Sequence, residues 1–378
     1  MDQPVGRSIR DHFAAVPDPR IDRTKRHQLL DIITIALCAV ICGADSWVEV
    51  EEFGKAKRAW LDTFLTLPNG IPSHDTFGRV FARLDPACFQ QCFLAWVQAI
   101  VTQTAGEFVA VDGKTLRRSH DRSAGKAALH LVSAWAESNR LVLGQVAVAA
   151  KSNEITAIPA LLAVLALEGC IVTIDAIGCQ TAIAQTIIAQ GADYVLALKG
   201  NQGTLHEAVA SYFAEAQADA FRDVPHGYAR PVDGEHGRIE IRQYWTVADP
   251  ELLGYLNPSG AWAGLRSVGM VERERRTGAT TTHETGYYLS SLDGAVATFA
   301  RTVRGHWGIE NRLHWVLDIA FREDESRVRS GYAAENLAVL RHIALNLLRQ
   351  DTSAKCGTKA KRLKAGWDAA YLLQVLAG

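Results

Sequence analysis

The sequence predicts a mixed α/β layer fold, and three observations carry that prediction. Short apolar runs of strand length recur between residues 108 and 198, and amphipathic helical stretches alternate with them. The order they spell after residue 107, β-β-β-α-β-α-β-α, is that of a sheet with helices packed on it. With 48% hydrophobic residues over 378 positions, the chain has enough apolar material for a full core, which excludes a disordered protein. The length fits two or three domains.

Residues 1–100 read as helical. Leu29, Leu30, Ile32, Ile33, Ile35, Ala36, Leu37 and Val40 make a broad apolar helix face. The longest uncharged apolar run, 32–44, falls short of the roughly 20 residues that span a membrane. The polar start, 1–12, has no apolar signal core. Both predict a soluble, cytoplasmic protein with no membrane partner. Pro68, Asn69 and Gly70 mark a loop. Ser73 ahead of Asp75 is an N-cap signal, with Phe77, Val80, Phe81 and Leu84 at helical spacing behind it. Residues 89–101 give a further helix. The seven cysteines hold no C-x-x-C pair, which argues against a disulfide framework or a zinc centre. Cys38/Cys42 and Cys88/Cys92 each share a helix face and read as core thiols.

Beyond Glu107 the pattern changes. Residues 108–111 read as a buried strand ending on Asp112, and 130–136 and 141–149 as two more in an antiparallel meander. A helix follows at 157–167, then a buried strand at 171–174 ending on Asp175. A helix at 181–189, a strand at 193–198 and a helix at 204–218 complete the series. Between 223 and 293 lies a strand-rich insertion, with strands at 238–247, 267–275 and 281–290. Helical patterning returns over 296–315. The end carries Lys355, Lys359, Lys361, Arg362 and Lys364. The organisation expected is therefore a helical region at 1–100, a core from 107–222 and 294–350, a β insertion at 223–293 and a basic tail at 351–378.

Near-neutral net charge, −1, does not announce a nucleic-acid partner, so only local patches can. Gly113-Lys114-Thr115 is not a phosphate loop, because six residues separate Gly106 from Gly113 where that motif needs four. Asp112 and Asp175 are the stronger signal. Each is an acid at the tip of an apolar strand, where an unpaired charge is costly. If the first and fourth strands are neighbours, the two carboxylates meet and call for a cation between them; Mg²⁺ suits such oxygen donors. The plainer reading is that each acid caps its turn. A third acid comes from His306, Glu310, His314 and Asp318, spaced by four and so on one helix face. Zinc on that face, or simple solvation of it, are the alternatives. Cations crowd these acids: Lys114, Arg117, Arg118, Arg122 and Lys126 after Asp112, and Arg301, Arg304 and Arg312 around Glu310. An acid centre inside a basic rim fits a polyanionic substrate; ordinary solvated surface accounts for some of these side chains.

These residues carry a resemblance. VAVDGKTLRRS, TIDAIGCQ, YVLALKGNQ, HGRIEIR and RGHWGIENRLHWVLDIAFREDESR resemble bacterial insertion-sequence transposases of the DDE class, of the H-repeat-associated type. ICGADSWVEVEEFGKAKRAWL and LPNGIPSHDTFGRVFARLD resemble that family's associated helical region. The resemblance implies a ribonuclease-H-like core with an inserted β domain. It implies Asp112, Asp175 and Glu310 as catalytic, metal-holding acids for Mg²⁺ or Mn²⁺, with Asp318 and Asp324 as rival third acids. A Tyr, an Arg and a Lys common around the Glu in the wider superfamily are replaced here by Val303, His306 and Leu317. Arg304, His306 and Asn311 are then the candidates to grip the scissile strand, with His314, Lys114, Arg117, Arg118 and Arg122 as further DNA contacts. The partners implied are terminal inverted repeats, target DNA and a second copy of the chain. A nuclease of the same fold and a non-catalytic DNA-binding descendant are the alternatives.

Overall fold

A computed structural model describes residues 7–101, 106–121, 125–149, 152–235, 238–278 and 280–377. The N-terminal helices are α1 (Arg7–Phe13), α2 (Leu29–Ile41), α3 (Trp47–Ala56), α4 (Arg58–Leu61), α5 (His74–Arg83) and α6 (Pro86–Ile100). Local chemistry starts them. Ser46 and Glu49 form a capping box at α3. Ser73 accepts from the Thr76 amide at α5, and Asp85 with Pro86 opens α6. Cys38 is buried, but Cys42, Cys88 and Cys92 are only half-buried. In α6 the buried stripe is Phe89, Phe93, Leu94, Trp96 and Val97, so Cys88 and Cys92 fall on its flank. All seven thiols are free.

The strands are β1 (Phe108–Thr115), β2 (His130–Ala136), β3 (Leu141–Ala147), β4 (Ile171–Ile174), β5 (Asp193–Leu198), β6 (His226–Ala229), β7 (Val232–Glu235), β8 (Arg238–Val247), β9 (Ser267–Thr277) and β10 (Thr280–Ser290). Among the described residues they make one sheet in the order β3-β2-β1-β4-β5-β10-β9-β8-β6, with β7 also on β8. β1, β4 and β5 are mutually parallel and the other pairings antiparallel. The strand-rich insertion continues the central sheet, because β10 pairs with β5 from Tyr287↔Leu198 to Ser290↔Val195. β1 runs on through Asp112 to Thr115, past the expected end. Its β2 edge stays paired to Thr115↔His130, whereas its β4 edge stops at Val111↔Ile174.

The remaining helices are α7 (Glu154–Ala163), α8 (Thr181–Ala189), α9 (Gly203–Ala218), α10 (Pro250–Leu256), α11 (Val296–Gly308), α12 (Trp315–Phe321), α13 (Ala333–Gln350), α14 (Thr358–Trp367) and α15 (Ala369–Ala377). α7 starts three residues before the expected 157 and ends at Ala163. A π-helix, Ile309–His314, joins α11 to α12, so the expected helix 296–315 continues to Phe321 with one widened turn. Among the described residues no helix is long and apolar enough to cross a membrane.

Period-two side chains divide the sheet. Val109, Val111, Val172 and Ile174 join the main core with Ile158, Leu161, Ile183 and Ile187 of α7 and α8. Phe108, Ile171, Val195, Tyr244 and Val271 lie on the opposite face, under Phe299 and Val303 of α11. α13 is buried along nearly its whole length. Its Asn346 amide accepts from and donates to the Val142 backbone (2.8 and 2.9 Å), and its Asn336 donates to Phe81 and Leu84 carbonyls. The helical region and the sheet thus share one polar-pinned helix. The C-terminal cations are not all solvated. Lys361 and Arg362 are buried, with Lys361 donating to the Leu348 carbonyl and Arg362 to those of Val40 and Ala320.

Candidate active site

On β1 and β4, two of the strands under α11, the face turned to that helix begins apolar and ends on an acid. On β1 the series is Phe108, Ala110, Asp112; past β4 it is Ile171, Thr173, Asp175. Val111↔Ile174 is the last pair between these parallel strands, so Asp112 and Asp175 are the next two residues, side by side where the strands part. Asp112 Oδ1 accepts from the Gly113 amide (2.9 Å), and Asp175 Oδ1 accepts from the Ile177 amide (3.1 Å). The turn-capping reading holds for Asp175, which caps the turn at 176–178, but not for Asp112, which lies within β1 and accepts only from the next amide. Burial, with Asp175, Glu154 and Glu310 adding to it against the Gly113 amide, pushes the Asp112 carboxyl up to about 7.

Glu310 comes from the π-helix. Asp112, Asp175, Glu310, Thr173, Lys199 and His306 line one cleft of about 310 Å³. In an α-helix, residues four apart drift by about 40° per step, so a row of four would slide off its face. The π turn, bonded one residue wider, takes up that drift. His306 Nδ1 meets Thr173 Oγ1 at 2.9 Å, and His314 Nδ1 lies 3.6 Å from Asp112 Oδ2. Asp318 takes the Lys114 ammonium. Burial lowers the pKa of His306. Burial first, then Lys114, takes His314 down to about 4, so it faces Asp112 as a neutral ring at pH 7.

The cations sort differently from their sequence neighbourhood. Lys114 is not a surface contact: its side chain is 12% exposed and bonded to Asp318 and, at 2.8 Å, to Glu323. Burial opposes the charge on Lys114, but Glu323 and Asp318 outweigh it and raise its pKa. β1 carries Lys114 on the same face as Asp112, directly under α12, which is why it is taken inward. Arg117 is exposed and pairs with Asp324 (3.2 Å), and Arg118 is exposed. Arg122 lies outside the described residues. Arg304 and Asn311 line a neighbouring cleft, not the acid one. Asp318 and Asp324 are occupied by Lys114 and Arg117, and only Glu310 of the three rivals lines the cleft of Asp112 and Asp175.

Sequence reasoning missed Glu154, which begins α7, binds His130 Nε2 (2.6 Å) and acts on Asp112. No local pattern marks it. It also missed Arg242, Arg273 and Arg275, although Arg273 and Arg275 stand at the two-residue spacing of one strand face.

Three carboxylates and a neutral imidazole around a carboxyl raised by its neighbours form a hard-oxygen donor set that a divalent cation would relieve. By residue type these are donors a divalent cation takes, although among the described residues no three acid, His or Cys side chains are placed so that they could hold a metal ion.

Fold and site define an α/β protein whose sheet carries an acid-lined cleft at the parting of two parallel strands. The transposase DDE domain family matches residues 103–347, and the DDE_Tnp_1-associated family matches residues 10–97. The chain belongs to this transposase family. It is 39% identical over 376 residues to the "H repeat-associated putative transposase YhhI" of Escherichia coli K12, covering 98% of each chain. It is 41% identical to the "Putative transposase YncI" of E. coli O157:H7, covering 98% of this chain and 94% of that one. An uncharacterized protein in the dhlA 3′ region of Xanthobacter autotrophicus is 47% identical over 281 residues, 74% of this chain and 92% of that one. The solved piggyBac transposase synaptic complex with hairpin DNA aligns over 97% of this chain and 77% of its own, at TM-score 0.44 and 10% identity, too distant a likeness to position any residue.

Proposed function

We propose that this protein cuts DNA at the ends of its own insertion sequence and joins the 3′-hydroxyl ends to target DNA. The core β1–β5, with order 3-2-1-4-5 and the acids beside β1 and β4, is read as ribonuclease-H-like. The reading rests on one observation: Asp112, Asp175 and Glu310, far apart in sequence, line a single cleft.

In this reading Asp112, Asp175 and Glu310 hold Mg²⁺ or Mn²⁺. The bound ions supply activation of the attacking water or 3′-hydroxyl and charge stabilisation at the leaving 3′-oxygen. The chain's own groups do the rest. The Gly113 and Ile177 amides fix the rotamers of the two aspartates. Neutral His306, hydrogen-bonded to Thr173, and neutral His314, 3.6 Å from Asp112, stand beside the acids without competing with the cation. Arg304 and Asn311 hold the DNA strand. No covalent link between protein and DNA forms. Cutting two ends in register calls for two copies of the chain in the DNA complex.

The test is metal-dependent cleavage and joining of DNA carrying the element's ends. Asp112→Asn, Asp175→Asn and Glu310→Gln are each expected to lower cleavage by at least about 10³-fold with circular dichroism unchanged. Full cleavage by any one of them removes that residue from the site. Cleavage without joining to supercoiled target would make the protein a nuclease.

A further inference from the structure

We propose that Lys199 is a catalytic residue: its ammonium donates to a non-bridging oxygen of the phosphodiester being cut and offsets the charge that builds there. The assignment rests on the transposase reading above and adds to it a group from β5, outside both the acids and the α11–α12 stretch.

Strand register puts Lys199 in line with the two aspartates. β1, β4 and β5 are neighbours and run parallel, so all three end on the same side of the sheet. Ile171 pairs with Asp193 and Thr173 with Val195, and Ile171 and Val195 pack together on the α11 face. Counting on by twos from Val195 gives Ala197 and then Lys199, whose backbone is still extended at φ −139° and ψ −172°. On that face the three strands thus finish with Asp112, Asp175 and Lys199, two acids and a cation. With Ile174 opposite Leu196, Asp175 is level with Ala197, and Lys199 stands two residues, about 7 Å, farther out. All three line the same cleft.

The turn after Lys199 is tied to the turn after Asp175. Gly200–Gln202 make one 3₁₀ turn, closed by the Gln202 amide on the Lys199 carbonyl (3.0 Å). Asn201 Nδ2 donates to the Ala176 carbonyl (2.6 Å), and Gln202 Nε2 donates to the Cys179 carbonyl (3.0 Å). The strand end that bears the lysine is therefore stitched to the strand end that bears the acid.

The charges in the cleft give the lysine its task. Among the described residues that line it, Lys199 and Arg273 are the Lys and Arg side chains. Arg273 is engaged by the Tyr288 hydroxyl (2.8 Å) and by Glu284 (3.2 Å). Lys199 is exposed, and among the described residues its ammonium has no hydrogen bond and no ion pair. A lysine serving only to neutralise the aspartates would pair with them, as Lys114 pairs with Asp318 and Glu323. Held apart from them across an open cleft, Lys199 is a donor for an anion lying between. A phosphodiester undergoing in-line displacement is such an anion. The attacking oxygen bonds to phosphorus, the bond to the leaving 3′-oxygen breaks, and charge spreads over the non-bridging oxygens. Lys199 keeps its protons throughout and acts as a point charge with N–H donors.

The first test follows single-turnover cleavage of DNA carrying the element's ends, beside affinity for the same DNA. Lys199→Ala is expected to lower the cleavage rate by about 10²–10³-fold. Affinity should weaken by no more than about fivefold, the share of one phosphate contact. Ethylammonium chloride should restore part of the rate, and tetramethylammonium chloride, which has no N–H to donate, should not. Wild-type cleavage by Lys199→Ala, an affinity loss that matches the loss of rate, or equal rates in the two salts overturns the proposal. The second test needs no turnover. Lysines of the unaltered protein are methylated with formaldehyde and cyanoborohydride, with Ca²⁺ in place of Mg²⁺, and mapped by mass spectrometry. End DNA should protect Lys199, and the same DNA with a neutral methylphosphonate at the cut position should not. Equal labelling with the two DNAs overturns the contact. The acids and the lysine can fail separately. Inactive Asp112→Asn with Lys199 unprotected removes the lysine alone. Fully active Asp112→Asn with Lys199 protected removes the acid assignment and keeps the lysine at the phosphate.

Discussion

At Asp112 a single carboxylate within a strand accepts from the next backbone amide and stands close enough to Asp175 to be raised by it, and its surroundings decide what it can bind. The behaviour of Lys114, two residues on, is the sharper lesson. A lysine in a cationic stretch of sequence is here a nearly buried ammonium between Asp318 and Glu323, with Glu323 in turn 3.6 Å from buried Arg341. Removing one member of such a buried set leaves the others uncompensated. Lys114→Met is expected to destabilise the protein by roughly 3–5 kcal/mol, read as a lower midpoint in urea unfolding. Adding Glu323→Gln should recover part of that loss. No change in the midpoint would mean that the ammonium holds nothing together.

Among the elements, the helical stretch from α11 to α12 matters most, because it carries Glu310 across the sheet. It sits close because Gly269 of β9 has no side chain: a Cβ there would lie 2.3 Å from the Phe299 ring. Gly269→Ala is expected to cost roughly 1–3 kcal/mol by overpacking and to lower cleavage by displacing Glu310. Phe299→Leu in the same chain should restore melting temperature towards wild type. If Gly269→Ala melts and cleaves as wild type, the helix is not seated by this contact. The four-residue spacing of His306, Glu310, His314 and Asp318 was legible in the sequence. The π turn that keeps the row on one face was not, because it depends on what the helix packs against.

For the whole molecule, α13 and the C-terminal helices lock the helical region to the sheet. Asp351 is a centre of that lock: its carboxylate accepts from the Ser353 and Tyr371 hydroxyls (2.6 and 2.7 Å) and lies 3.4 Å from Lys361. Burial opposes its charge, but those donors and Lys361 outweigh it and hold the pKa at about 2, below the ordinary 3.8. A carboxyl depressed in the folded state stabilises above its unfolded pKa, and that contribution fades as pH falls from about 4 to about 2. Asp351→Asn is therefore expected to remove about 1–2 kcal/mol at neutral pH and to flatten the acid limb of stability against pH. An unchanged acid limb in the variant would exclude Asp351 from it.

The sequence by itself determined the strand and helix order from 108 to 218, the helical N-terminal region, and Asp112, Asp175 and Glu310 as acids of interest. Those rest on periodicity and local chemistry, which act over a few residues. Only the tertiary structure decided that β1 and β4 part just before the two aspartates. Only it decided that the inserted strands extend the same sheet, that Lys114 and Arg362 turn inward, and that arginines from distant segments share a cleft. Each of these depends on register and packing between residues far apart in the chain, where a single-residue shift sends a side chain to the opposite face.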